Sequence, residues 1–163
     1  MKHPQSSRWL LPAQTLKHRI NPGILSWLND SGSLTRRLKQ YCPQQFSVEL
    51  LAEEWGRPDP SEAQLLGIPT SQRVLLRQVH LKCRDQLCVY ARSVIPLQTL
   101  QGRHRRLRYL GNKPLGEYLF SSPTLLRKRI EWSCLTPSSG LYRIAMAAQT
   151  DARDPVWGRR SLF

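Results

Sequence analysis

RVLLRQVHLKC, residues 73–83, and LCVYARSVIP, residues 87–96, stand on either side of Arg84-Asp85-Gln86. Two runs rich in Val, Leu and Ile around a short polar turn read as a β-hairpin, so the sheet that contains them is antiparallel. Period-two reading puts Leu75, Arg77, Val79, Leu81 and Cys83 on one face of the first strand. Val74, Leu76, Gln78, His80 and Lys82 share the other. The first face is the apolar one, and Arg77 is its only charge. A charge there is costly unless paired. Its partner is either an internal carboxylate or a ligand carboxylate, which the planar guanidinium grips with two parallel N–H groups. On the return strand, Arg92 and Ser93 come roughly opposite Arg77, and two adjacent arginines suggest a dianion site. A one-residue slip in register would send Arg92 to the opposite face. His80, on the more polar face, is expected to be exposed.

Outward from the hairpin, residues 45–55 (QFSVELLAEEW) alternate Phe46, Val48 and Leu50 with polar partners and predict another strand. Glu49, Glu53 and Glu54 read as its solvated end. Pro-Gly opens a short helix at residues 22–29, and Ser33 is placed to cap a second with Leu34, Leu38 and Tyr41 on one face. Cys42-Pro43 ends that helix. The Pro-rich stretch 56–70 is a connection holding a short helical piece, Ser61–Leu66. Residues 97–109 read as helical, 110–116 as a loop, Glu117–Phe120 as helix-like, and 123–132 as a helix with Pro123 in its first turn. Residues 133–154 carry no clear pattern. Hairpin strands beside segregated helices predict an α+β fold with an antiparallel sheet.

At 163 residues, 40% hydrophobic and with five Trp, the chain is long enough for one packed domain, expected to span 1–163. No apolar run approaches the length of a membrane span, and the basic N-terminus is too short and too broken by Pro12 for a signal peptide. A cytoplasmic, monomeric protein is expected. In that compartment Cys42, Cys83, Cys88 and Cys134 read as free buried thiols, although Cys83 and Cys88 flank the hairpin turn. Neither they nor the His residues have metal-ligand spacing. The net charge of +14 and the cluster Arg103, His104, Arg105, Arg106 and Arg108 invite a nucleic-acid reading. The charge is spread along the chain, however, and no helix-turn-helix or stacking platform accompanies it, so a solvated basic surface that steers an anionic small molecule is preferred.

The remaining motifs lie in loops. LGNKPLGEYLF, Leu110–Phe120, sets Gly, Pro and Gly within six positions, which fixes backbone geometry, and follows them with apolar anchors. It is neither a phosphate loop nor a dinucleotide fingerprint, and no ordered Ser/His/Asp or Cys/His set is present. With it go SLTRRL at Ser33–Leu38, FSV at Phe46–Val48, LLR at Leu75–Arg77, ARSVIP at Ala91–Pro96 and WGRRS at Trp157–Ser161. In this order, from about Ile24 to the end, these segments resemble the chorismate pyruvate-lyases, bacterial enzymes that make 4-hydroxybenzoate for ubiquinone.

The resemblance implies an antiparallel sheet with helices over an internal, flap-closed site, and a cofactor-free elimination that splits chorismate into 4-hydroxybenzoate and pyruvate. Matched residue by residue, it implies ligand contacts from Leu34, Arg77 and Leu115. Arg77 would grip a carboxylate, the Leu115 backbone would line the pocket, and Leu34 would cover it. Arg92 joins them from the hairpin reading alone. The family pattern also implies two strands beyond WGRRS, the last with a glutamate facing the product hydroxyl. The chain ends at Phe163, so no residue matches it and the domain is expected to be C-terminally incomplete. The competing expectations are an aromatic-carboxylate-binding domain without turnover, or an inactive relative. The former resembles the effector-sensing domains of some bacterial transcription regulators. The catalytic proton donor has no candidate in the sequence.

Overall fold

The computed structural model describes residues 7–15, 17–149 and 154–163. In chain order its regular elements are α1 (Pro22–Asn29), α2 (Leu34–Tyr41), β1 (Phe46–Gly56), α3 (Pro60–Leu66), β2 (Val74–Cys83) and β3 (Gln86–Pro96). Then come α4 (Leu115–Ser121), β4 (Arg129–Leu135), α5 (Gly140–Ala145) and β5 (Val156–Leu162), with 3-10 helices at Leu97–Leu100 and Gly102–Tyr109 after β3. The α+β class with antiparallel sheets is as the sequence predicts. Two compact units form: one is Ser33–Ser122, the other is assembled from the segments before and after it.

In the Ser33–Ser122 unit, β1, β2 and β3 make an antiparallel sheet in that order, so β2 is central. The hairpin turn is two residues, Arg84 and Asp85, both at positive φ (52° and 62°) as a two-residue type I′ turn requires. A bulge at Cys88 then shifts the ladder: Lys82 pairs with Leu87, but Leu81 pairs with Val89. From there on Arg77 faces Ser93 and Gln78 faces Arg92. The apolar face is the expected one, with Leu75, Val79, Leu81 and Cys83 buried. Leu75 and Ile95 pack there with Leu100, Leu107 and Leu110 from the two 3-10 helices and the following loop. Burying each of these side chains is worth roughly 2 kcal/mol, enough in sum to carry one paired guanidinium at the margin of the cluster.

The other face of β2 is covered as well, which corrects the expected exposure of His80. Val74, Leu76 and His80 are all buried. His80 meets the Tyr90 ring edge-on, and its Nδ1 lies 3.3 Å from Glu49 Oε2. His80 lies between its direct cross-strand neighbours Glu49 and Tyr90, whose side chains on the same face shield it.

The cysteine reading is corrected too. Cys42, at the C-terminus of α2, is disulfide-bonded to Cys83, at the end of β2, while Cys88 and Cys134 are free and exposed. The two bonded residues are 41 positions apart, a separation whose proximity spacing could not reveal.

In the second unit β4 and β5 pair antiparallel, and Leu10 extends the ladder with a bridge to Trp132. The helix expected over 123–132 is thus replaced by strand β4 from Arg129. Its alternation Ile130, Glu131, Trp132, Ser133 has period two, and the ladder to β5 overrides the Pro123 start signal. Trp132, 1% exposed, packs with Ile20 and Leu28. Among the described residues no helix is long and apolar enough to cross a membrane.

Candidate functional site

Arg77 is 1% exposed. Its Nη2 donates to the carbonyls of Gly111 (2.5 Å) and Lys113 (2.9 Å), and its Nε lies 3.4 Å from Glu53 Oε2. Glu53 is the direct cross-strand partner of Arg77 on β1. The solvated strand end read from the sequence is therefore corrected at Glu53, whose side chain is only 19% exposed. A bulge at Leu51 puts it there: Leu50 pairs with Val79 and Ala52 with Gln78, so every later β1 residue shifts by one. Burial lowers the Arg77 pKa, and the Glu53 charge works in the opposite direction.

The loop that accepts from Arg77 is the GNKP segment. Gly111 takes φ +52°, and Lys113 N bonds back to Leu110 O, a tight turn that brings the two carbonyls together over the guanidinium. Pro114 then takes the N-cap position of α4, which begins at Leu115, two residues before the helix-like stretch expected from sequence. Leu115 packs against the Leu75 cluster. Its neighbour Gly116 approaches the start of α2 so closely that a Cβ there would lie 2.9 Å from Thr35 Oγ1 and 3.6 Å from Ser33 Oγ. Between those two residues is Leu34, half-buried at the first turn of α2, which Ser33 caps by accepting from Arg36 N. Arg77, Leu115 and Leu34 are thus linked through one loop and one helix–helix contact. Tyr41, expected on the buried face of α2, is exposed instead.

Arg92 does not join them. The Cys88 bulge turns it to the face opposite Arg77, where Nε donates to Glu62 Oε1 (2.8 Å) and Nη2 to Glu62 Oε2 (3.3 Å). Burial opposes its charge, but the hydrogen bond and charge of Glu62 raise its pKa. The paired-arginine site expected from the hairpin is corrected: Arg92 is a fork-to-fork ion pair with α3.

Nearby, a cleft of about 330 Å³ lies between α2 and α4, lined by Ser33, Arg36, Lys39, Glu117, Phe120 and Ser121, with Lys39 and Glu117 ion-paired across it. None of Leu34, Arg77 and Leu115 lines it. The basic run is presented by the 3-10 helix Gly102–Tyr109, where Arg103, Arg105, Arg106 and Arg108 are exposed and Arg108 lies over the Trp55 ring. Among the described residues no group of three His, Cys, Asp or Glu could hold a metal ion.

WGRRS has a structural job within the second unit. Arg159 Nη1 donates to the carbonyls of Trp27 (3.0 Å) and Asp30, binding the C-terminal end of α1. Arg160 pairs with buried Glu131 (2.6 Å) and lies over the Trp9 ring. Gly158 admits the Trp9 ring, whose nearest atom would lie 3.2 Å from an added Cβ.

A family model described as chorismate lyase matches residues 3–163. A probable chorismate pyruvate-lyase of Methylococcus capsulatus is 44% identical over 85% of this chain and 84% of its own length. Relatives of the same name from Methylobacillus flagellatus and Pseudomonas aeruginosa are each 39% identical, over 96% and 98% of this chain and 84% and 85% of their own lengths.

Proposed function

The chain belongs to the chorismate lyase family, and from that premise we propose that it eliminates pyruvate from chorismate to give 4-hydroxybenzoate, the aromatic precursor for ubiquinone. The match over residues 3–163 carries this reading. The elimination breaks the ether bond to the enolpyruvyl group, the ring gives up a proton and becomes aromatic, and the enolpyruvate takes a proton to become pyruvate. Bonds and protons balance without an external oxidant or reductant. Aromatisation supplies the driving force, so the protein's task is to position the substrate and keep water away.

Arg77 is assigned to the substrate carboxylate, with Leu115 as the pocket wall and Leu34 as the cover. What supports this is a permanently charged, buried fork beneath the Gly111–Lys113 loop. The reading extends to a cytoplasmic monomer; fractionation of cell extracts tests the first point and light scattering on the purified chain the second.

The primary test incubates the chain with chorismate and follows both products. Equal amounts of 4-hydroxybenzoate and pyruvate are expected, with production lost in Arg77→Ala. Binding of 4-hydroxybenzoate without turnover would replace the enzyme by an aromatic-carboxylate-binding domain.

A further inference from the structure

Arg77 is not waiting empty-handed for a ligand. Both hydrogens of Nη2 have a carbonyl to go to, Gly111 O and Lys113 O, and Nε faces Glu53. Arg77 Nε and Glu53 Oε2 are both buried, yet neither makes a hydrogen bond; their 3.4 Å approach is held by charge. A carboxylate gripped by two parallel N–H groups needs one edge of the guanidinium. The edge formed by Nε and Nη2 is already shared between Glu53 and the loop carbonyls. An anionic ligand in this unit therefore meets an arginine whose charge is largely answered from within.

We propose that Glu53 is the resident counter-ion of Arg77 and competes with the ligand's carboxylate for it, weakening the hold on the anionic product so that it leaves. The inference rests on Arg77 as the carboxylate-gripping residue in the reading above. Glu53 acts through Arg77 and is a positioning residue. Its geometry follows from the β1 bulge at Leu51, which brings Glu53 rather than a neighbour opposite Arg77. Two unit charges a few ångströms apart at a partly shielded site interact strongly enough to shift anion affinity on the order of tenfold or more.

The experiment is calorimetric titration of wild type, Glu53→Gln and Glu53→Asp with 4-hydroxybenzoate and with its neutral amide. Glu53→Gln keeps an oxygen facing Nε but removes the charge. It is expected to bind the carboxylate about tenfold more tightly, to leave amide affinity unchanged, and to lower KM for chorismate. A purely structural role would move both ligands together. Glu53→Asp withdraws the charge by one methylene, so a smaller tightening is expected; this keeps the test open if Glu53→Gln does not fold. Unchanged or weaker carboxylate binding in the folded variants, with wild type binding normally, overturns the inference alone. Failure of every form, wild type included, to bind the carboxylate or turn over chorismate overturns the Arg77 reading and this inference with it.

Discussion

A lone arginine among Leu75, Val79, Leu81 and Cys83 is sustained because a turn and a bulge bring two carbonyls and a carboxylate to it. Arg77→Ala is expected to destabilise the fold by about 3–5 kcal/mol, because it strands Glu53 and two loop carbonyls without a cation. Urea denaturation measures this, and a loss under 1 kcal/mol would contradict the buried-charge account. Period two makes Arg77 legible in the sequence but not the partners that a turn and a bulge bring to it, and it misplaces Arg92 because the unpaired residue at Cys88 reverses the facing of everything after it. Glu49 offers a test by pH. The hydrogen bond from Lys82, then that with His80, holds its pKa below the ordinary 4.5. A carboxylate lowered in the folded state stabilises above its unfolded value and loses that contribution as pH falls through the folded one. Wild type should therefore lose more stability than Glu49→Gln on acidification below about pH 4.5, as followed by thermal melts across that range.

Among elements, the strands and α2 were predictable because their signals are local: alternation for β1 to β3, and a serine cap for α2. β4 was not, since its strand state depends on β5 and Leu10, which are remote in sequence. The close α2–α4 contact was equally hidden, although GNKPLG announced constrained backbone. Gly116→Ala would force Thr35 away from α4 and is expected to cost about 1–3 kcal/mol. The same substitution at Gly67, where an added Cβ meets nothing but φ is +66°, would cost through backbone strain alone; comparing the two melting curves separates contact from strain. In WGRRS, Arg159 supplies two charge-assisted bonds to the end of α1. Arg159→Ala should loosen that helix by about 1.5–3 kcal/mol, seen as faster amide exchange over residues 22–29.

For the whole molecule, the antiparallel sheet follows from the hairpin and the α+β class from the helices segregated beside it, while the disulfide does not, because the expected compartment favours free thiols. Closing a 41-residue separation restricts the unfolded chain by roughly 4 kcal/mol. Denaturation with and without a dithiol reductant should differ by about that amount. The roof over Arg77 bears on time rather than stability. A side chain 1% exposed can be reached only after something above it has moved. If Arg77 takes the substrate carboxylate as proposed, ligand capture is paced by how often the Gly111–Lys113 turn, whose carbonyls accept from it, lifts, not by how often molecules collide with it. In stopped-flow mixing, the observed rate should climb with ligand concentration and then level off at the frequency of that lifting. A strictly linear rise would mean that the door was already open.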